Sequence, residues 1–184
     1  LRELRWIPRV TLTGTLVFAA GALFQRPPVA WTGAILMAAG ALLFLRLAQQ
    51  WHDGRKAHPA DAAIRFIVVA LAALAAAIPF GFAALNAGLA QPGLQAAYPA
   101  LLLPGWLGAL IIGVSYRILP NLTWHYRYAS QMRNPGVPGL SNLLSPRVGI
   151  AAAWLYTVGL LLLIPGLVFQ SGLVARAGAM LLFS

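Results

Sequence analysis

The chain alternates long, continuously apolar stretches with short polar segments. Several of these stretches approach or exceed the ~20 residues that a helix needs to cross a hydrocarbon core of roughly 30 Å. A transmembrane barrel would instead show in–out alternation over roughly ten residues. The sequence therefore predicts an all-α, polytopic transmembrane helical bundle that forms a single domain over residues 1–184. The predicted spans are five full ones and the start of a sixth: about 6–24, 29–49, 63–89, 98–119 and 148–170, and from about 173 onward.

The composition excludes a soluble domain, because only 9% of the residues are charged and 60% are hydrophobic. A soluble domain has about a quarter of its residues charged. The chain contains no cysteine, which excludes disulfides, thiolate metal sites, iron–sulfur clusters and covalently attached c-type haem. The last apolar stretch would rise only about 18 Å as a helix, and the chain does not start with Met. We therefore expect these 184 residues to be an excerpt of a longer chain.

The net charge of +10 comes from 13 basic and 3 acidic residues. In a soluble protein such a charge would suggest nucleic acid, but membrane proteins concentrate Lys and Arg in cytoplasmic loops. With the N-terminus inside, eleven of the 13 basic residues are cytoplasmic and only Arg26 and Arg176 lie outside. We expect a multi-pass protein of the bacterial inner (cytoplasmic) membrane with a cytoplasmic N-terminal end. Its expected partners are lipids and other membrane subunits, with no nucleic acid.

Redox or proton chemistry inside a membrane needs ligating or ionisable side chains within the spans. Every acidic residue and every histidine of this chain lies outside the predicted spans. We therefore expect neither a transmembrane haem with two histidine ligands nor a carboxylate relay, and no catalytic residue is assigned. Met37 and Met180 are possible thioether ligands, but a lone methionine in a span usually packs against its neighbours.

The loop predicted at residues 50–62 contains the segment "WHDGRKAHPAD", with two histidines and two aspartates. Imidazole and carboxylate both ligate transition metals, so His52 and His58 are the candidates for a metal site. Their spacing matches no compact metal-binding motif, and polar side chains in an aqueous loop are stable without a metal. A solvated loop is therefore the alternative interpretation.

The segment "PNLTWHYRY" follows the fourth span, and Pro120 is predicted to break that helix. Its aromatic rings are of the kind that settle at the lipid headgroups, and arginine meets lipid phosphates. The predicted lipid anchor consists of Trp124, Tyr126, Arg127 and Tyr128. The alternative is a docking edge for a partner subunit or for a haem propionate, for which Arg117 and His125 are the candidates.

Three glycines of the fourth span, Gly105, Gly108 and Gly113, are predicted to form a helix-packing groove. Small residues let backbones approach closely in lipid, where no hydrophobic force drives helices together. The alternative is a gap in which a flat cofactor or a lipid tail lies against the backbone.

The segment from Tyr98 to Leu122, "YPALLLPGWLGALIIGVSYRILPNL", resembles a helix of the haem-copper oxidase subunit I superfamily, closest to its nitric-oxide-reductase-like and nitric-oxide-response branches. The family helix carries His-x-His before these residues, and the same spacing places Tyr98 and Ala100 there. The resemblance implies a multi-span bundle related to a respiratory subunit that has lost the family's haem or metal ligands. A phenol at Tyr98 is the remaining candidate ligand. The matching residues are Gly105, Trp106, Leu107, Gly108, Gly113, Tyr116 and Pro120.

Three functions follow as hypotheses. The first is a cofactor-free integral membrane subunit that packs or anchors partners in a respiratory or redox complex, without catalytic activity of its own. The second is a haem- or copper-binding member of the same superfamily, with its ligands outside this segment or haem in a partner. The third is a small-molecule transporter, because prolines interrupt three spans as in the broken helices of transporters. The residues behind the third hypothesis are Pro79, Pro104, Pro165, Asn86, Ser115 and Thr157.

Overall fold

The computed structural model describes residues 5–53, 62–128 and 145–183, and these ranges contain helices and turns but no strand. One helix runs from Pro92 to Tyr128 and comprises α4, a π-helical segment and α5. The elements in order are α1 (Trp6–Leu23), α2 (Pro27–Asp53), α3 (Ala62–Ala87), a 3₁₀ turn (Gly88–Ala90), α4 (Pro92–Ala100), the π segment (Leu101–Gly108), α5 (Ala109–Tyr128), α6 (Pro146–Val168) and α7 (Gly172–Leu182).

Five of these helices are long and apolar enough to cross a membrane, and the shorter α7 is apolar as well. Large apolar side chains cover the outside of the bundle, among them Leu16, Leu103 and Leu161, each more than 60% exposed. Such a surface is suited to lipid rather than to water. The chain is therefore an all-α, multi-pass membrane protein, and the predicted fold class is confirmed.

The fourth span differs most from its prediction. A loop was expected at residues 90–96 and a break at Pro120, but the helix starts at Pro92 and continues to Tyr128. The connection between the third and fourth spans is therefore shorter than predicted, consisting of the 3₁₀ turn and Gln91, and the predicted break at Pro120 was wrong. A proline in the first helical turn has no N–H to leave unpaired, and its fixed φ suits a helix start. Pro120 removes one backbone hydrogen bond, a loss that membrane helices tolerate without ending.

The other prolines do not interrupt their spans either: Pro79 lies within α3 and Pro165 within α6. The broken helices that favoured a transporter are therefore not found at these two positions. Pro104 lies in the π segment, which continues the helix with wider turns. The second span also extends past its predicted end at residue 49, because α2 ends at Asp53.

Two helical hairpins flank the bundle, α1 with α2 and α6 with α7. In the first, Gly14 lies against Met37 near one end and Gly21 against Ala30 near the turn, so the two helices are antiparallel. A β-carbon at Gly14 would lie 2.7 Å from the Met37 nitrogen. The glycines therefore let the backbones touch, which is how helices associate in lipid.

Helix α3 forms the centre of the bundle and packs against α2, α4, the π segment, α5 and α6. Phe66 of α3 is 2% exposed and lies between two tyrosine rings, Tyr116 at 5.7 Å and Tyr156 at 5.6 Å between ring centroids. The face of α3 around it is built of alanines that let the neighbouring helices approach. These core alanines are Ala62, Ala63, Ala70, Ala73 and Ala77.

Candidate functional site

A cleft of about 360 Å³ lies between the α1–α2 hairpin and the wall formed by α3, α4 and the π segment. We name it the hairpin cleft. Its few polar groups include the hydroxyls of Thr11 and Tyr98. The remaining lining is apolar: Ile7, Phe18, Ala34, Met37, Ala38, Gly40, Ala41, Phe44, Leu74, Ala77, Ile78, Gly81, Phe82, Leu85, Leu102 and Trp106.

Tyr98, the candidate ligand predicted from the sequence, lies in the wall of the hairpin cleft. Its ring packs on the α3 backbone at Gly81, where a β-carbon would lie 2.8 Å from the Tyr98 Cε2 atom. The glycine therefore makes room for the ring. Thr11, across the cleft on α1, donates its hydroxyl hydrogen bond to the Ile7 carbonyl oxygen at 2.9 Å. The Tyr98 hydroxyl is therefore the group in the cleft that would donate a hydrogen bond to an acceptor atom of a bound ligand.

The π segment forms part of the same wall through Leu102 and Trp106. A π-helical turn widens the helix and leaves carbonyl groups short of partners, and such turns are frequent at functional sites. Here the Tyr156 hydroxyl of α6 donates a hydrogen bond to the Pro104 carbonyl oxygen at 2.5 Å. The indole N–H of Trp106 is buried without a hydrogen-bond partner among the described residues.

The three predicted packing glycines lie at contacts with two different helices. Gly105 and Gly113 face α3, where a β-carbon would lie 3.0 Å from the Ala73 Cβ atom and from the Ala63 carbonyl oxygen, respectively. Gly108 instead faces α6, where a β-carbon would lie 2.8 Å from the Tyr156 hydroxyl oxygen. The alternative of a gap for a flat molecule does not describe these positions, because protein atoms fill the space beside each glycine.

The remaining cofactor candidates do not meet Tyr98. Arg117 lies 19 positions further along the same helix, a rise of about 28 Å, and His125 lies about 40 Å away. Both side chains are exposed. Among the metal candidates, His52 belongs to the last turn of α2 and His58 lies outside the described residues. The described ranges hold no group of three or more His, Asp or Glu residues placed for a metal ion.

The four predicted lipid anchors lie on the last turns of α5 rather than in a loop. Tyr126 is 90% exposed and Arg127 is exposed, whereas Trp124 and Tyr128 are half-buried. The Trp124 and His125 rings meet edge to face at 5.5 Å between centroids. The four side chains therefore surround a helix end, and their contact with lipid stays a prediction.

The hairpin cleft does not fit a haem group. Met37 and Tyr98 are the side chains of its lining with any capacity to ligate iron, and neither a histidine nor a basic residue is part of the lining. Haem propionates in an apolar cleft would then lack cationic partners, which is costly. The lining suits a neutral, apolar molecule with one hydrogen-bond acceptor.

The described chain thus defines a class: a multi-pass α-helical membrane protein with an apolar cleft beneath a helical hairpin. Comparison with protein-family models, with curated proteins and with solved structures found no match.

Sequence reasoning missed the cleft because its walls come from α1, α2, α3 and the π segment, which are distant in the chain. Two aromatic residues of the α1–α2 hairpin that line it, Phe18 and Phe44, were an available signal.

Proposed function

We propose that this chain is a cofactor-free integral membrane subunit that packs against and positions partner helices in a respiratory or related redox complex. The observation that carries the proposal is the make-up of the interior. Among the described residues, all fully buried side chains are apolar or tyrosine, and the nearest exception is the partly exposed Arg65, whose Nε atom is buried. An interior of this kind supports packing, whereas membrane chemistry depends on ionisable groups inside the bundle.

The helix contacts support the same role. The described helices touch through glycines and alanines, which gives a bundle its shape without any ligand. Among the described residues, two side chains form three hydrogen bonds between different elements: Tyr156 donates to the Pro104 carbonyl oxygen, and Gln95 donates to the carbonyl oxygens of Ala84 and Gly88. All these bonds end on backbone carbonyl groups, so they fasten helices and leave no side-chain relay.

The proposal includes the orientation of the bundle in the membrane. Described arginines gather at the bundle end formed by the start of α3 and the end of α5, for example Arg65 and Arg127, whereas Arg26 and Arg176 lie near the opposite end. The positive-inside rule then places the arginine-rich end in the cytoplasm of a bacterial cell. The resemblance of residues 98–122 to haem-copper oxidase subunit I adds the expectation of a respiratory or redox assembly.

The test is a dithionite-reduced minus oxidised visible spectrum of the protein purified alone in mild detergent, with haem quantified per chain. The expected result is no α-band and far less than one haem per chain. A stoichiometric haem band would overturn the proposal and favour the haem-binding alternative.

A second candidate function is the binding or carriage of a neutral apolar molecule, which the hairpin cleft favours. Its test is organic extraction of the purified protein followed by mass spectrometry. A molecule present at about one per chain should be lost in Ala41→Phe, which fills the cleft. It should be retained in Ala72→Phe, which adds the same ring on an exposed face of α3. Equal recovery from both variants would exclude the cleft as the site.

A further inference from the structure

The two hairpins of the bundle are copies of one another in sequence. Residues 14–36 and 159–181 align without a gap, each residue standing 145 positions after its counterpart, as 159 does after 14. Ten of the 23 aligned positions are identical. In the first hairpin they are Gly14, Leu16, Gly21, Phe24, Gln25, Val29, Ala30, Gly33, Ala34 and Leu36.

The copies also share their backbone geometry. The turn residues Gln25 and Gln170 have the same left-handed conformation, with φ of 51° and 55°. In both turns the backbone N–H that follows the glutamine donates to a glycine carbonyl oxygen at 2.8 Å, Gly21 in one copy and Gly166 in the other. The pairing of α7 with α6 therefore repeats the pairing of α2 with α1.

The copies differ in a residue that α1 and α6 turn towards the interior of the bundle. At the same offset of 145 positions, Thr11 of α1 corresponds to Tyr156 of α6. Tyr156 is 7% exposed, and its hydroxyl donates to the Pro104 carbonyl oxygen of the π segment. Thr11 lines the hairpin cleft and donates to the Ile7 carbonyl oxygen of its own helix. The position that a phenol fills in the second copy therefore holds, in the first, a short side chain beside an open space.

The hairpin cleft is a slot that runs along the helices. Its lining extends from Ile7 to Phe18 on α1, from Ala34 to Phe44 on α2 and from Leu74 to Leu85 on α3. Each of these stretches rises about 15–17 Å along its helix. Because the helices cross the membrane, the slot lies along the direction of the lipid chains.

The slot is too narrow for a further helix. Trp31 of α2 stacks on Phe82 of α3 with 5.8 Å between ring centroids, at the end of the slot near the α1–α2 turn. A helix with its side chains is about 10–12 Å across, so the stack holds the hairpin too close to α3 to admit one. The volume of about 360 Å³ is that of a small-molecule site. The occupant is therefore a thin molecule.

The lining also selects against a charged occupant. No arginine, lysine or histidine belongs to it, and a carboxylate or phosphate buried without a cation is costly. The end of the slot near the α1–α2 turn holds the Tyr98 hydroxyl, whose ring lies on Gly81. The opposite end, formed by Ile7 and Phe44, is apolar. A neutral acceptor therefore fits one end and a hydrocarbon tail the other.

We propose that the hairpin cleft binds one acyl chain of a membrane glycerolipid. The ester carbonyl oxygen accepts a hydrogen bond from the Tyr98 hydroxyl, the chain follows the slot towards Ile7 and Phe44, and the headgroup stays outside. Glycerolipid esters lie where the headgroups meet the hydrocarbon core. Tyr98 has a matching depth, because it lies about 9 Å along the helix that begins at Pro92. The inference rests on the second candidate function, since it names the molecule in the cleft.

The test is photo-cross-linking with a synthetic phosphatidylethanolamine that carries a diazirine in one acyl chain. One version of the probe has the diazirine beside the ester, and the other has it beside the terminal methyl group. The protein is reconstituted in vesicles that contain the probe, irradiated and digested, and the labelled residues are identified by mass spectrometry. We expect the ester-side probe to label around Tyr98 and Gly81, and the methyl-side probe to label around Ile7 and Phe44.

Two pairs of variants test whether the slot is the site. Thr11→Tyr gives α1 the phenol of its counterpart and should lower labelling at least about fivefold, because it fills the slot. Thr15→Tyr makes the same change on an exposed face of α1 and should leave labelling within about twofold. Ala41→Phe and the exposed Ala72→Phe form the second pair, with the same expected contrast. The second pair keeps the test decisive if Thr11→Tyr does not fold.

The hydrogen bond is tested by competition between unlabelled lipids. In the parent protein an ester lipid should displace the probe at a concentration about two- to tenfold lower than the matched ether lipid, which lacks the carbonyl group. In Tyr98→Phe the two lipids should compete within about twofold of each other, because the donor is gone. Loss of the ester preference alone, with labelling of the slot retained, identifies Tyr98 as the donor.

Three results would overturn the inference: no cross-link to residues of the slot, equal labelling within both pairs of variants, or an ester preference that Tyr98→Phe leaves unchanged. A different neutral molecule that is extracted at about one per chain and lost in Ala41→Phe would also overturn it, but would leave the second candidate function in place. An empty extract together with no cross-link would overturn both. The haem spectrum that tests the first proposal is independent of all these results.

Discussion

The Tyr156 hydroxyl of α6 donates its hydrogen bond to the Pro104 carbonyl oxygen, in the middle of the π segment. The same hydroxyl lies against Gly108, where a β-carbon would be 2.8 Å away. One phenol thus both fills the space beside a glycine and satisfies a carbonyl group of a widened helical turn. This contact is the main polar link between α6 and the long helix.

Removing that hydroxyl should destabilise the bundle. In Tyr156→Phe the Pro104 carbonyl oxygen loses a buried partner, which costs about 1–3 kcal/mol. The midpoint of unfolding in an SDS titration in mixed micelles is the measurement. Tyr116→Phe is the control, because the Tyr116 ring also contacts Phe66 but its hydroxyl forms no hydrogen bond with a described residue. Equal midpoints for both variants would contradict the prediction.

The sequence was sufficient to predict which segments are helical. Within the described residues, continuous apolar stretches identified the five membrane-spanning helices and the shorter α7, because a backbone in lipid must satisfy its hydrogen bonds internally. The sequence was misleading about where the helices end. Pro92 was interpreted as a loop residue and Pro120 as a helix breaker, yet both belong to one helix. A proline removes one backbone hydrogen bond from its helix. Ending the helix in lipid would leave more backbone groups unpaired, which costs more free energy, so the helix continues.

The candidate site was less predictable. Tyr98 was singled out, but its partner Gly81 is on α3 and carries no local signal. The hairpin repeat was present in the sequence, since Gly-x6-Gly-x2-Phe-Gln occurs at Gly14 and again at Gly159. It is found by comparing the chain with itself, whereas a search for ligand motifs passes over it.

The glycines of the first hairpin should tolerate no side chain. In Gly33→Ala the new β-carbon meets the Phe18 backbone of α1, which cannot move aside as a flexible side chain would. Overpacking of this kind costs about 1–3 kcal/mol. We expect a lower thermal midpoint in detergent for Gly33→Ala. Gly172→Ala, where a β-carbon meets nothing within 4 Å, should leave the midpoint unchanged, and a similar loss in both variants would contradict the close approach.

The two turn glutamines should be stabilised by replacement with glycine. Gln25 and Gln170 have φ of 51° and 55°, a left-handed conformation that costs a residue with a β-carbon roughly 1–2 kcal/mol. Glycine relieves this strain but adds freedom to the unfolded chain, about 0.4–1 kcal/mol. Gln25→Gly and Gln170→Gly should each stabilise by up to about 1 kcal/mol, measured as a shift in the unfolding midpoint.

Alanine at the same two positions keeps the β-carbon and is therefore the control. Gln25→Ala should change the unfolding midpoint little, because the strain remains. An equal stabilisation by alanine and glycine would show that the left-handed conformation is not the source of the effect. A stabilisation confined to one of the two turns would contradict their shared geometry.

The proposed orientation predicts which ends of the helices can be labelled from outside the cell. The cysteine-free segment allows single cysteines at Phe24, in the α1–α2 turn, and at Tyr126, near the end of α5. Because the arginine-rich end is proposed to be cytoplasmic, a membrane-impermeant maleimide should label Phe24→Cys in intact cells. Tyr126→Cys, whose native side chain is 90% exposed, should react only in inverted vesicles. The parent protein without cysteine gives the background, and the reverse pattern would place the N-terminal end outside.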